Sequence, residues 1–313
     1  MPAILKSRRG IIGISAAVVA VIVAIVVVVL LRRGDAYRTI QIYQLDGQAE
    51  VTRQSSRIDP YVNMMLESGD YVRTFEESYL YLKMDEDKYM LAEPQTRFTL
   101  TATGTPADSR TRIDLELGAV VNHITQPLSE KSSYEVTTPN STMAVRGTSF
   151  RVYVWFDEEG ISHTLLQVFE GVVEVHLIYP DGSQSEEARQ FAAGQTASVW
   201  GSDVTSDYDY VEDEIDYFSL DIPVLEFLKI GIGHSVDRED YDITIPDVDE
   251  IIRLKQTYFD VTFTVDGRPF GTQSVLFDNR AHAPSLMPSE RGHWDFDFDT
   301  AIRENNEISW VTE

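Results

Sequence analysis

The chain has 313 residues, 51 acidic against 26 basic side chains, a net charge of −25 and no cysteine. That balance excludes a nucleic-acid-binding role, which needs clustered Lys and Arg to neutralise phosphates, and the missing cysteine excludes disulfide stapling and thiolate chemistry. All 51 acids lie beyond position 34, so the excess charge belongs to the bulk of the chain, where it favours solubility beside a charged envelope.

Residues 11–31 (IIGISAAVVAVIVAIVVVVLL) carry no charge, and only Gly13 and Ser15 interrupt the apolar run. As a helix they extend about 31 Å, which matches the roughly 30 Å hydrocarbon core of a bilayer. Val and Ile are modest helix formers in water, but in lipid every backbone N–H needs an internal partner, so helix wins. A cleaved signal peptide would have an apolar core of only about 7–15 residues and a small-residue cleavage site. Here the run ends at Leu30-Leu31-Arg32-Arg33 with no such site. Residues 1–33 are therefore expected to be a short cytoplasmic tail and a single transmembrane helix. Lys6, Arg8 and Arg9 precede the span and Arg32, Arg33 and Arg38 follow it, a small positive-inside margin that places the bulk outside the cell membrane.

Residues 34–200 read as a β domain. Phe150, Val152, Val154 and Phe156 alternate with Arg151, Tyr153 and Trp155, the period of a half-buried strand. Similar alternation marks Leu80/Leu82/Met84, Ile113/Leu115/Leu117 and Val173/Val175/Leu177, with turn signals at Asp46-Gly47 and Asp181-Gly182. Pro94-Gln95-Thr96, Pro139-Asn140-Ser141 and Gly194-Gln195-Thr196 form a weak repeat, echoed by Gly69, Gly118 and Gly171. Repetition of short strands points to a β-solenoid, and a twisted β-sandwich produces the same signals.

Residues 201–256 form a linker. Its first part, GSDVTSDYDYVEDEID, carries seven acids and no base, the pattern of a solvated connector. Short helices are expected at 223–230, with Asp221 near the N-cap, and at 247–256. Residues 257–313 form a small second β unit, opening with a hairpin in which 261–265 and 270–275 flank Asp266-Gly267. It closes with Trp294-Asp295-Phe296-Asp297-Phe298-Asp299 and Ile308-Ser309-Trp310. As a strand, the former would place three carboxylates on one face, either a solvated surface or a cation site.

No catalytic, cofactor-binding or metal-binding residues are assigned. The six histidines lack metal-ligand spacing, and no nucleophile elbow, phosphate loop or dinucleotide fingerprint is present. With 51 acids a plausible glycosidase pair can always be drawn, so that signal has no specificity.

The one dense cluster is 134–150, YEVTTPNSTMAVRGTSF. Pro139-Asn140 reads as a turn and Met143-Ala144-Val145 as a buried strand. Arg146-Gly147-Thr148 interrupts that strand before Phe150 resumes the alternation, and Gly147 permits a left-handed or bulged backbone. Arg146 is expected to pair with a carboxylate or cap turn carbonyls, the alternative being a partner's carboxylate. The pattern Y-x-V-x-T-P-x…A-V-R-G-T-x-F-x-V over 134–152 resembles the signature of the FecR domain, with agreement at Gly69-Asp70-Tyr71-Val72, Leu115-Glu116-Leu117-Gly118 and 168–175. The resemblance covers about 60–200 and makes Pro139, Asn140, Ala144, Val145, Arg146, Gly147, Thr148 and Phe150 family-signature residues.

FecR-like regulators are envelope proteins whose outer β domain senses a partner and whose cytoplasmic region acts on a sigma factor. Ten residues ahead of the span are too few to fold such a region, so signalling here implies a separate cytoplasmic regulator or the helix itself. Residues 261–310 (VTFTVDGRPFGTQSV, APSLMPSERGHWDFDFDTAI, ISW) resemble the internalin B-repeat, a β-grasp module of Gram-positive surface proteins that implies a spacer or contact role. The expected whole is a non-catalytic, membrane-anchored binding protein without cofactors. Its expected partners are the bilayer and an envelope polysaccharide or another surface protein. A signalling receptor is the first alternative and an envelope glycan hydrolase the second.

Overall fold

The computed structural model of the protein describes residues 38–105, 107–200, 215–232, 247–289 and 291–312. The expected transmembrane run 11–31 and most of the acidic stretch 201–216 lie outside the described residues. Among the described residues no helix is long and apolar enough to cross a membrane. The chain divides into two units, Met1–Glu212 and Asp213–Glu313.

The first unit is built from β1 (Ile40–Asp46), β2 (Ala49–Arg53), β3 (Ser56–Ile58), β4 (Asp70–Thr74), β5 (Tyr79–Met84), β6 (Lys88–Ala92), β7 (Arg97–Thr105), β8 (Asp108–Ile124), β9 (Ser133–Thr137), β10 (Ser141–Val145), β11 (Ser149–Phe156), β12 (Ser162–Glu170), β13 (Val172–Leu177), β14 (Arg189–Ala192) and β15 (Thr196–Trp200). One layer runs β1-β5-β6-β8-β11-β12-β15. The other runs β3-β2-β4-β7-β8-β9-β10-β13-β14. Apart from β3, neighbours follow chain order in both layers, and every pair is antiparallel except β8–β9. The chain thus shuttles between two layers while advancing in one direction. It has the layers of a sandwich and the progressive winding of a solenoid. Leu82, Met90 and Val152 from the first layer and Val72, Phe98 and Ile113 from the second belong to one buried cluster.

Strand β8 belongs to both layers. Its first half pairs with β7 and β9, its second half with β6 and β11. The first half alternates buried and outward residues, whereas from Gly118 to Ile124 every residue is buried. The change of layer falls at Gly118, where φ is +82° and an added Cβ would stand 2.5 Å from Thr96 Cα. A bulge beside it leaves Glu116 without a cross-strand partner and sharpens the bend.

Other crossings between layers use the same device: left-handed residues occur at Gly47, Glu77, Gln95, Gly147, Gly171 and Gly194. Neighbouring corners are stitched by their backbones, Phe75 N donating to Gln48 O (3.2 Å) and Gln95 N to Phe75 O (3.1 Å). The sequence repeat is largely a repeat of corners. Gln95, Gly118, Gly171 and Gly194 turn between layers, Gly69 leads from the Asn63–Leu66 segment bonded to β1 into β4 of the other layer, and Pro139-Asn140 serves a turn within one layer.

The second unit contains a 3₁₀ turn (Tyr217–Ser219), α1 (Ile222–Ile232) and α2 (Val248–Lys255). Both expected helices form. The Asp221 carbonyl accepts from Leu225 N at 3.0 Å, and the Asp247 carboxylate caps α2 by accepting from Glu250 N at 3.2 Å. Strands β16 (Tyr258–Val265), β17 (Arg268–Leu276), β18 (Gly292–Trp294) and β19 (Asn306–Thr312) make a sheet in the order β17-β16-β19-β18, parallel only at its centre. The hairpin turn at Asp266-Gly267 has φ of +49° and +71°, the handedness that matches strand twist. The expected strand over 294–299 ends at Trp294. Beyond it Asp297 Oδ1 accepts from Asp299 N at 2.9 Å, closing a turn. Phe296 and Phe298 still pack against the core of Val261, Phe263 and Ile308, so the alternation of burial comes from a turn rather than a pleat.

Gly118→Ala should cost about 3 kcal/mol, combining left-handed strain with overpacking. Gly160→Ala, at similar φ (+78°) with nothing within 4 Å, should cost about 1 kcal/mol. Urea unfolding of the two variants checks this, and equal losses would contradict the tight corner.

Candidate interaction site

The signature residues fold as β9, a hairpin turn, β10, a corner and the start of β11. Tyr134 in β9 is fully buried and its hydroxyl donates to Asn122 Oδ1 at 2.7 Å. Burial pushes its phenol above the ordinary range. Pro139 is exposed at the turn, and Asn140 beside it is buried. The Asn140 Nδ2 donates to Ser162 O (3.1 Å) and Val199 O (3.0 Å), both in the opposite layer. Its Oδ1 accepts from Thr138 Oγ1 (3.0 Å) and Thr164 Oγ1 (2.7 Å). One amide therefore joins the layers with both of its ends occupied, the condition under which a buried polar group stabilises.

In β10 Ala144 is half-buried and Val145 buried, and beyond the corner Thr148 and Phe150 are buried. The corner backbone is held on both sides, Leu128 N donating to Arg146 O (2.8 Å) and Ile124 N to Thr148 O (3.0 Å). Gly147 has φ +143°, and an added Cβ would lie 3.3 Å from Pro127 Cα. A Cβ on Gly171 would come within 2.6 Å of Gly147 O, so the two corners touch through their glycines.

Arg146 departs from expectation. Its side chain is exposed and, among the described residues, makes no hydrogen bond or ion pair. The corner needs no help from its guanidinium, because Leu128 N and Ile124 N already occupy the turn carbonyls. Arg38 pairs with Asp85 (2.7 Å), Arg53 with Asp70 (2.7 Å) and Arg151 with Glu93 (2.6 Å), whereas the exposed Arg73 and Arg110, like Arg146, have no ion pair among the described residues.

A second feature lies downstream on the outward face of β11 and β12. Arg151 sits over the Tyr153 ring at 5.3 Å, Tyr153 stacks on Trp155 at 5.0 Å, and Trp155 stacks on His163 at 5.1 Å. His163 Nε2 lies 2.8 Å from Asp157 Oδ2 and holds that carboxyl below its usual range. Two aromatics spaced i, i+2 on the outward face of a strand were the available sequence signal for this column. The cross-strand His163 and the more distant Glu93 had none. Among the described residues no group of three or more His, Asp or Glu lies placed to hold a metal.

Residues 70–174 match the family model described as FecR protein, a span that includes the whole signature. Two crystal structures of a protein described as a "putative anti-sigma factor" from Parabacteroides distasonis ATCC 8503, at 1.65 and 2.50 Å resolution, are similar to this chain at 12% identity and a TM-score of 0.38. Each similarity covers 78% of this chain, and 99% and 98% of the respective neighbours. No curated protein matches the chain.

Asn140→Ala should cost about 2–3 kcal/mol, because it strands buried hydroxyls and carbonyls. Gly147→Val should prevent the first unit from folding, while Arg146→Ala should stay within about 0.5 kcal/mol of the parent. Thermal melts of the three variants rank them directly. His163→Phe should return the Asp157 carboxyl toward its ordinary titration range in a carbon-13 NMR titration. In the parent chain the pair's stabilisation is present above the unfolded carboxylate pKa and is lost as pH falls through the depressed folded value.

Proposed function

We propose that this chain is a non-catalytic interaction protein of the bacterial envelope, anchored by residues 11–31 with both folded units outside the cell. The observation that carries the reading is Arg146, an exposed guanidinium on a corner whose backbone is locked, with no carboxylate partner among the described residues. A guanidinium grips carboxylate or phosphate through paired N–H donors, and a rigid base lowers the entropy lost on binding. The partner is an acidic envelope polysaccharide or an acidic patch on another surface protein.

The organisation that goes with this reading is 1–33 tail and anchor, 34–200 FecR-like domain, 201–256 linker and 257–313 a β-grasp module of the internalin B-repeat type. The order β17-β16-β19-β18 with a parallel central pair supports the last assignment, for which a spacer or second-contact role is proposed. The FecR match favours a second reading, in which the same surface senses a partner and the anchor relays its state to a separate cytoplasmic regulator.

Full-length protein in detergent should be retained on immobilised acidic wall polysaccharide. Arg146→Ala should weaken retention about tenfold or more, from losing a charge-assisted contact of roughly 1.5–3 kcal/mol, at unchanged melting temperature. Equal retention of parent and variant removes Arg146 from the site. No retention of either removes the polysaccharide and leaves the protein partner.

A further inference from the structure

We propose that the segment Asp59 to Leu66 rests on the lipid surface of the membrane that holds the chain, an inference that builds on reading 11–31 as the anchor. Three large apolar side chains stand out of this segment: Tyr61 is 64% exposed, Val62 46% and Met65 45%. They are not loose residues of an unformed loop. Met64 and Leu66 fill the core beneath them, and Asn63 adopts a left-handed conformation. The backbone is tied to β1 through Asn63 N to Ile42 O (2.7 Å), Ile42 N to Met64 O (3.0 Å) and Leu66 N to Ile40 O (2.8 Å). Asn63 Oδ1 further accepts from Gln41 Nε2 at 3.0 Å. A fixed segment that has met its core requirement and still presents Tyr, Val and Met to solvent is a surface waiting for an apolar medium.

The point where the chain enters the domain says what that medium is. Arg38 is locked in place: its Nε donates to both Asp85 oxygens (2.9 and 2.7 Å), Nη1 to Thr103 O (3.0 Å) and Arg110 O (3.1 Å), and Nη2 to Thr111 Oγ1 (2.7 Å). Buried Lys88 reinforces the lock, its Nζ lying 2.5 Å from Asp87 and 3.4 Å from Asp85. The span ends at Leu31, and seven residues of chain, even fully extended, reach at most about 25 Å. Arg38 is therefore confined near the headgroups, and the segment that carries the exposed trio pairs through Asn63–Leu66 with the first residues of β1, a few residues beyond it. Tyr with aliphatic neighbours is the composition that partitions into the lipid–water interface. Arg32 and Arg33 on the connecting stretch favour anionic headgroups. A tether this short, with a second apolar contact beside it, fixes the orientation of the first unit over the bilayer, which a single flexible tether does not.

The absence of cysteine makes single-site spin labelling clean. Full-length chains carrying Ala20→Cys, Val62→Cys or Val172→Cys, reconstituted in phosphatidylcholine–phosphatidylglycerol vesicles, are compared by oxygen and nickel-chelate accessibility. Val172 is the exposed control far along the winding (40% exposed). The proposal expects the label at 20 deep in lipid and the oxygen-to-nickel ratio at 62 several-fold above that at 172. A buried label at 20 with equal ratios at 62 and 172 overturns the surface contact while leaving the anchor standing. A water-exposed label at 20 overturns the anchor and with it this inference. Shielding of position 62 from both reagents places protein against the patch and also overturns it. Unchanged melting temperatures establish that the labelled chains are folded.

Discussion

The first unit depends on one strand serving two sheets. β8 can do so only because its backbone turns through a left-handed residue at Gly118, against which the preceding corner at Thr96 is packed too closely for any side chain. With the bend in place, the first half of β8 supplies an inward row to one layer and its second half a centre to the other. The two layers then enclose one core instead of forming two unsupported sheets. The corners before and after repeat the device, so the winding is set by where the chain can adopt positive φ as much as by where it is apolar.

Much of this was legible and some was not. Alternation correctly identified the strands at 150–156, 80–84 and 173–177, because half-buried strands expose one face to water. Asp266-Gly267 announced its hairpin, because both residues tolerate the left-handed region. The double role of β8 was written as a change of period, from alternating SRTRIDLE to continuous apolar GAVV, but a short apolar run does not tell a doubly buried strand from other buried segments. The strand assigned to 294–299 failed for a related reason: a turn that dips two phenylalanines into a core imitates period 2. Solenoid and sandwich could not be separated because strand order, not strand content, distinguishes them.

The site was legible in position and only partly in role. The cluster 134–150 was singled out, and its buried Asn140 joins the layers. Yet Asn140's partners, Ser162, Thr164 and Val199, are remote in sequence and carry no local signal. Arg146 was expected to serve the turn. The turn instead satisfies itself through backbone groups, and among the described residues the charged head has no partner. The same economy runs through the unit's electrostatics, where Arg38, Arg53 and Arg151 are each committed to a carboxylate.

Strand neighbours that follow chain order have a kinetic consequence. Each new strand finds its hydrogen-bonding edge already laid down by the residues before it, and only the paired halves of β8 must wait for segments on both sides. Ordering can therefore proceed from the amino-terminal end while later residues are still being synthesised, each turn of the winding acting as template for the next. The edge left open at any moment is short-lived and is taken up by the chain's own continuation, which limits its chance of pairing with a neighbouring molecule.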